Sequence, residues 1–278
     1  MSNKRIRTWY EYWNGNVYVA FSGGKDSTVL LDLVRKLYPE VPAIFANTGL
    51  EYPEIIDFVK TISNVTWLRP KMSFKKVLET HGYPVISKEI SLKIRQLRNC
   101  PIGSKTHTLR STGIDSKGNM TKMGKVPDKW LFLINAPFKI SEHCCYIMKK
   151  SPMTIYENTH SKIKPYIGMM ASDSRNRKMM YLRRGCNAYE GRIQSNPIGF
   201  WLEQDIWEYI KINNLPYSAI YDMGYQRTGC IFCMFGVHRE KVPNRFQRMK
   251  QTHPILWNYC INKIPLKPVL EYINTPYV

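Results

Sequence analysis

Long apolar runs are missing from this chain. Nowhere do about 18 apolar residues follow one another, which excludes a membrane-spanning helix and predicts no membrane partner. The stretch Met1 to Trp13 lacks the apolar core of a secretory leader, which predicts a cytoplasmic protein. Internal repeats and low-complexity tracts are absent, so solenoids and biased tails are excluded. Acid is scarce: 21 Asp and Glu stand against 41 Lys and Arg, for a net charge of +20. The 7 cysteines are odd in number, which in a cytoplasmic chain argues against a disulfide framework and for metal or redox chemistry. What remains is ordinary globular material. The 278 residues are 44% hydrophobic, enough for a sizeable core in one large or two small domains.

The basic excess thickens across Arg69–Arg110 and again across Lys162–Arg192, among 18 Tyr and 7 Trp. A mononucleotide site needs few of these charges, so a polyanion such as nucleic acid is the expected partner. Solubility, or attraction of small anionic nucleotides alone, is the alternative.

The densest signal is VYVAFSGGKDSTVL, Val17 to Leu30. Val17 to Phe21 reads as a buried strand, and Val29, Leu30, Leu33 and Val34 follow at helical spacing. Between them lies Ser22-Gly23-Gly24-Lys25-Asp26-Ser27. Strand, glycine turn and helix start bring backbone N–H groups and a helix dipole against a phosphate. Lys25 adds a point charge, while Asp26 would repel an anion unless it held Mg²⁺ or capped the helix. The spacing is not that of a Walker A loop. Ala43–Ala46 and Val65–Leu68 read as further strands and Pro53–Thr61 as a helix. Residues 1–13, Phe74–Thr80 and Ser87–Leu97 also read as helices. This alternation predicts an α/β fold: a parallel twisted sheet with helices on both faces, Rossmann-like, plus a C-terminal helical segment. Ligands of such sheets sit at the carboxyl ends of strands, so Asn47-Thr48-Gly49 is expected to share a site with the glycine turn. Pro101–Lys129 is rich in Gly, Ser, Thr and Lys and is expected to be a basic surface loop. The expected division is a nucleotide domain over 1–225, carrying that insertion at 101–129, and a Cys-x-x-Cys segment over 226–278.

Cys144-Cys145 and, 85 positions on, Cys230-Ile231-Phe232-Cys233 supply four thiolates. They suffice for a [4Fe–4S] cluster or for tetrahedral zinc. Adjacent cysteines diverge, which suits the separated corners of a cluster better than one small ion.

The glycine turn resembles the PP-loop of the adenine-nucleotide alpha-hydrolase superfamily. Cys-Cys followed at a distance by Cys-x-x-Cys resembles the [4Fe–4S] signature of the phosphoadenylylsulfate (PAPS) and adenylylsulfate (APS) reductase family. Lys149 after the cysteine pair agrees, as do Trp207, Leu215-Pro216-Tyr217 and Tyr221-Asp222-Met223-Gly224-Tyr225 ahead of Gly229-Cys230. Gly168 to Arg177 is similar to the family's Gly-x-Arg-x-x-Glu-Ser-x-x-Arg, with Met170 for the first Arg and Asp173 for Glu. The resemblance spans Val17 to His238. It implies that Ser22, Gly23, Gly24, Lys25, Asp26 and Ser27 hold a pyrophosphate and its Mg²⁺, with Lys25, Asp26 and Ser27 closest to the chemistry. Asn47, Thr48 and Gly49 would line the adenosine side. Asp173, Ser174, Arg175 and Arg177 would face the phosphates, and Lys149 would link cluster and nucleotide electrostatically. Cys144, Cys145, Cys230 and Cys233 would ligate the cluster.

The reductases carry a nucleophilic cysteine in a C-terminal Glu-Cys-Gly-Leu-His segment, which is not found here. Cys260 has aromatic and apolar flanks that would raise its pKa. The reductases also tend to carry an altered phosphate loop, whereas Ser22–Ser27 is intact. These departures favour ATP and a likeness to DNA phosphorothioation and tRNA thiolation sulfurtransferases. The expected activity is an ATP pyrophosphatase that activates a DNA or tRNA acceptor for sulfur transfer, with a donor such as a cysteine desulfurase. An APS or PAPS reductase using Cys260 or Cys186, and a non-catalytic nucleotide-dependent iron–sulfur subunit of a nucleic-acid complex, are the alternatives.

Overall fold

The computed structural model describes residues 1–121 and 123–278; Lys122, in the expected basic loop, lies outside the described residues. The chain forms two compact units. One comprises Met1–Pro70 with Lys149–Gly229, the other Lys71–Met148 with Cys230–Val278. The segment 71–148, expected from sequence to continue the nucleotide domain, therefore groups with the carboxy-terminal residues.

The first unit is built on six strands: β1 (Val17–Phe21), β2 (Ala43–Ala46), β3 (Val65–Leu68), β4 (Lys164–Ile167), β5 (Asn187–Ala188) and β6 (Gln194–Ser195). Their order is β3-β2-β1-β4-β6-β5, parallel except for the β5–β6 pair. This is the expected α/β class. Helices over Ser2–Tyr12, Lys25–Arg35, Pro53–Lys60, Ser151–Thr159, Arg175–Arg184 and Glu203–Ile212 pack around the sheet. Central β1 is covered on both faces, so its residues form an apolar run rather than an alternation. Tyr18, Ile44 and Ile163 form a core cluster against Leu68, Met153 and Tyr156. The Ser2–Tyr12 helix buries Ile6 and Trp9, and the Tyr166 hydroxyl donates to the Ile6 carbonyl at 2.8 Å.

β1 pairs with β2 on one side and with β4 on the other, so the connections leave in opposite directions there. Such a switch point opens a crevice beyond the carboxyl ends of the two strands. Ser22–Gly24 follows β1 and Gly168–Asp173 follows β4. The Ser22–Gly24 turn needs its glycine. Gly23 has φ +70°, and a Cβ there would lie 2.8 Å from Cγ2 of both Ile55 and Val59. Gly23→Ala is expected to cost about 1–3 kcal/mol, from overpacking and an unfavourable φ together. A urea midpoint lowered at unchanged slope would show it.

The second unit is helical. Ser73, Ser87 and Ser104 cap the helices Phe74–His81, Lys88–Asn99 and Lys105–Thr112, each accepting from the N–H three residues on. The third helix corrects the expectation of a loop across 101–129. Its residues are none of them buried, so composition alone reads as loop. Capping by Ser104, a left-handed Gly113 at its end, and the Arg110 guanidinium bonded to Gln96 and to the Gly124 carbonyl hold it instead. The carboxy-terminal segment contributes the helices Arg245–Thr252, Pro254–Asn258 and Lys267–Tyr272. Among the described residues no helix is long and apolar enough to cross a membrane.

Candidate nucleotide site and cysteine constellation

The crevice of the first unit has two compartments. One is polar and lined by Ser22, Lys25, Asp26, Asp173, Arg177 and Glu203, among others. The other is mainly apolar, with walls from Phe21, Ile44, Phe45, Ile55 and Met153 and polar groups from Glu51 and Lys149. Ser22 and Thr228 line both, so the compartments meet at the phosphate-loop serine. An apolar pocket running into a polar cleft at a helix N-terminus has the polarity of a nucleotide, base at one end and phosphates at the other.

The loop is held by its own hydroxyls and by Tyr221. The Ser27 hydroxyl donates to the Gly24 carbonyl at 2.8 Å and accepts from the Ser22 N–H at 3.2 Å. Thr28 Oγ1 also donates to Gly24 O, at 3.1 Å. The Lys25 N–H donates to the Tyr221 hydroxyl at 2.8 Å across 196 positions of chain. Sequence reading reached Tyr221 only as part of a motif preceding Cys230; the local pattern holds no signal that its hydroxyl seats the loop.

Lys25 is 5% exposed, and its Nζ lies 3.3 Å from Asp26 Oδ1 and 3.1 Å from Glu203 Oε1. Burial opposes the ammonium charge, but the two carboxylates outweigh it and hold the Lys25 pKa above its ordinary value. Burial also pushes the Asp26 carboxyl up, more than Lys25 pulls it down. Asp26 Oδ1 is buried and, despite the nearby ammonium, accepts no hydrogen bond. A buried carboxylate oxygen that faces the Lys25 ammonium at 3.3 Å without accepting a hydrogen bond from it keeps lone pairs that fit a hard divalent cation such as Mg²⁺. Glu203, which no motif flagged, supplies Lys25 with an exposed counter-charge.

The remaining expected residues divide. Asp173 and Arg177 line the polar cleft and form an ion pair with each other. Asp173 Oδ2 also accepts from the Met170 N–H at 3.2 Å, and Ser174 caps the following helix by accepting from Arg177 N. Arg175 is exposed and does not line the cleft. Asn47, Thr48 and Gly49 form the turn after β2 rather than the pocket wall, which stops at Ala46 and resumes at Glu51. Glu51 organises that turn, accepting from Thr48 N at 3.0 Å and from Thr48 Oγ1 at 2.7 Å. Arg227, also unflagged, lies in the cleft with its Nη2 3.9 Å from Asp173 Oδ1.

All four expected cluster cysteines lie in the second unit. The sulfurs of Cys144 and Cys145 are 3.9 Å apart. The Cys144 thiol is driven well above the usual range by its hydrogen bond to Cys145, by burial, and by the nearby sulfurs of Cys145, Cys233 and Cys230. A thiol held un-ionised by burial and neighbouring sulfurs gains from a cationic inorganic core. Among the described residues, no three Cys, His, Asp or Glu side chains gather tightly enough to hold one metal ion.

A family model for the phosphoadenosine phosphosulfate reductase domain matches residues 16–111 and 108–235, more than half of the chain. The chain belongs to this family. The chain is similar to the uncharacterized protein MJ0973 of Methanocaldococcus jannaschii, 26% identical over 265 residues, covering 92% of this chain and 50% of that protein. It is also 24% identical over 237 residues to the adenosine 5'-phosphosulfate reductase of Oceanobacillus iheyensis, covering 82% and 76% of the two chains. The chain thus spans about half the length of the archaeal relative and three quarters of the reductase. Among solved structures, phosphoadenylyl-sulfate reductase from Candida auris, in a phosphate complex, aligns with TM-score 0.48 at 17% identity, over 83% of this chain and 88% of the other. The U34-tRNA thiolase NcsA from Methanococcus maripaludis, with its [4Fe–4S] cluster, aligns with TM-score 0.41 at 14% identity, over 97% and 78%.

Proposed function

We propose that this member of the family is a PP-loop ATP pyrophosphatase that activates an acceptor, on nucleic acid, for sulfur transfer. The observation that carries this reading is the two-compartment crevice, in which an apolar base pocket and a lysine-bearing phosphate cleft meet at Ser22. An acceptor oxygen attacks the α-phosphorus of ATP, the bond to the bridging oxygen breaks, and pyrophosphate leaves with that electron pair. A sulfur nucleophile then displaces AMP from the acceptor. The loop N–H groups and Lys25 hold the β,γ-pyrophosphate and take up the charge that grows on it. Asp26, Ser22 and Ser27 would hold Mg²⁺, which supplies charge neutralisation on the phosphates. Cys144, Cys145, Cys230 and Cys233 would hold an iron–sulfur cluster. The donor set leaves the protein's own residues to bind and orient the nucleotide.

The reductase reading needs a nucleophilic thiol outside those four. Cys186 and Cys260 are both buried, and burial pushes both thiols up, against nucleophilicity. Cys100 is the partly exposed one. Anaerobically purified protein given ATP, Mg²⁺ and tRNA or DNA is expected to release AMP and pyrophosphate. ADP and phosphate would sink the proposal, and sulfite from adenylylsulfate with thioredoxin would replace it by the reductase.

A further inference from the structure

The second unit holds most of the basic excess. It carries 21 Lys and Arg against 7 Asp and Glu, whereas the first carries 20 against 14. Part of that charge converges on a cavity of about 350 Å³ whose walls include His81, Arg95, Arg98, Asn99, Lys139 and His143. None of the residues lining it is acidic.

The cavity is framed by backbone. At the end of the helix Phe74–His81, Gly82 has φ +108°, and a Cβ there would lie 2.4 Å from the Lys139 carbonyl carbon. Only glycine lets the two segments approach so closely. Tyr83 N–H then donates to Lys139 O at 2.8 Å and Ser141 N–H to Tyr83 O at 3.1 Å, fixing 139–143 against the end of that helix. The helix Lys88–Asn99 supplies the arginines. Arg95 is locked by a two-pronged bond to Glu142, 2.9 and 2.6 Å, and Arg98 Nη1 donates to the Phe138 carbonyl at 2.7 Å. Each guanidinium thus spends part of its donor fork on positioning and keeps the rest for a ligand. The rings of His81 and His143 lie 5.5 Å apart at the same cavity. Glu142 answers one charge, whereas Arg98 donates to the Phe138 carbonyl and Lys139 to the Thr80 carbonyl, neither of them an acid.

We propose that this cavity binds a backbone phosphate of the nucleic-acid acceptor. This rests on the reading of the acceptor as nucleic acid. A phosphate matches forked guanidinium donors flanked by an ammonium group, and a polyanion accounts for the excess charge across the whole unit. A free inorganic anion offers the same local chemistry.

The test titrates the anaerobically purified full chain with fluorescent tRNA and with a fluorescent DNA duplex, without ATP, at several salt concentrations. Arg98→Gln combined with Lys139→Gln should weaken binding of at least one probe by roughly tenfold, the scale of lost charge-assisted bonds. The slope of log affinity against log salt should fall by about one. Lys117→Gln combined with Lys241→Gln removes the same charge from exposed positions elsewhere in the unit and should change affinity less than threefold. Equal losses in the two double variants would reduce the effect to general charge and overturn the site. A second arm uses inorganic phosphate alone at constant ionic strength. Thermal stabilisation by phosphate that disappears in the Arg98/Lys139 variant, with both nucleic-acid affinities unchanged, would assign the cavity to a free anion and also overturn the proposal. Because no ATP is present, failure here leaves the pyrophosphatase reading to its own assay, and failure of that assay leaves this binding result intact.

Discussion

Replacing Lys25 with Ala is expected to cut AMP and pyrophosphate formation by about 10²–10³-fold, with most of the loss in kcat. Negative charge accumulates on the leaving pyrophosphate as the bond to the α-phosphorus breaks, so a fixed ammonium gains more in the transition state than in the ground state. The side chain is 5% exposed and held at 3.3 and 3.1 Å from two carboxylates, so its position costs no reorganisation during the reaction. Lys25→Arg should recover little, because a planar fork does not occupy the place of a compact ammonium between Asp26 and Glu203. Removing Lys25 also deprives Asp26 of the charge that opposes its burial, so the carboxyl should titrate higher still in the ligand-free variant. Far-ultraviolet circular dichroism and a urea midpoint separate this from unfolding. A folded Lys25→Ala protein that keeps more than half the wild-type kcat would remove the phosphate cleft from the mechanism.

The parts of this site that were legible in the sequence are those where one short segment does everything. Val17–Ser27 combines an apolar run, a glycine turn and a helix start, and each has a physical cause that acts within a few residues. The parts that were not legible depend on distant partners. Tyr221 reaches the Lys25 N–H across 196 positions, and Glu203 reaches the Lys25 ammonium across a similar span. No periodicity encodes such a pairing. β5 and β6 are two residues each, too short to show an alternation, and Gln194 and Ser195 are polar yet buried. The helix Lys105–Thr112 was missed for the opposite reason. It buries no residue, so hydrophobic periodicity is silent there, and a Ser and a Gly at its two ends read equally well as loop residues. Asn47-Thr48-Gly49 was located correctly at the end of β2. Its polar atoms, though, are engaged by the turn and by Glu51, which leaves the neighbouring β2 residues as the pocket wall.

Cys230→Ser is expected to abolish the visible absorbance of the anaerobically purified protein and to destabilise the second unit by several kcal/mol. The turn bearing Cys230 and Cys233 is built into that unit. Cys233 N–H donates to the Cys230 carbonyl at 3.1 Å, and the Arg245 guanidinium donates to the Cys233 carbonyl at 2.9 Å while pairing with Glu240. Between the cysteines, Phe232 is 2% exposed and packs against Phe74 and Tyr259. Losing one ligand would leave the Cys144 thiol with burial and the neighbouring sulfurs opposing its ionisation, and little to hold the turn against Cys144 and Cys145. Cys260→Ser is the matched control: it too alters a buried thiol, but one outside the constellation, and should lose about 1 kcal/mol while keeping the spectrum. The contrast between the two variants, rather than either alone, separates a cluster ligand from a packing cysteine. Equal spectra in both would strip Cys230 of its role, and a colourless wild-type protein with one zinc per chain would replace the cluster by an ion.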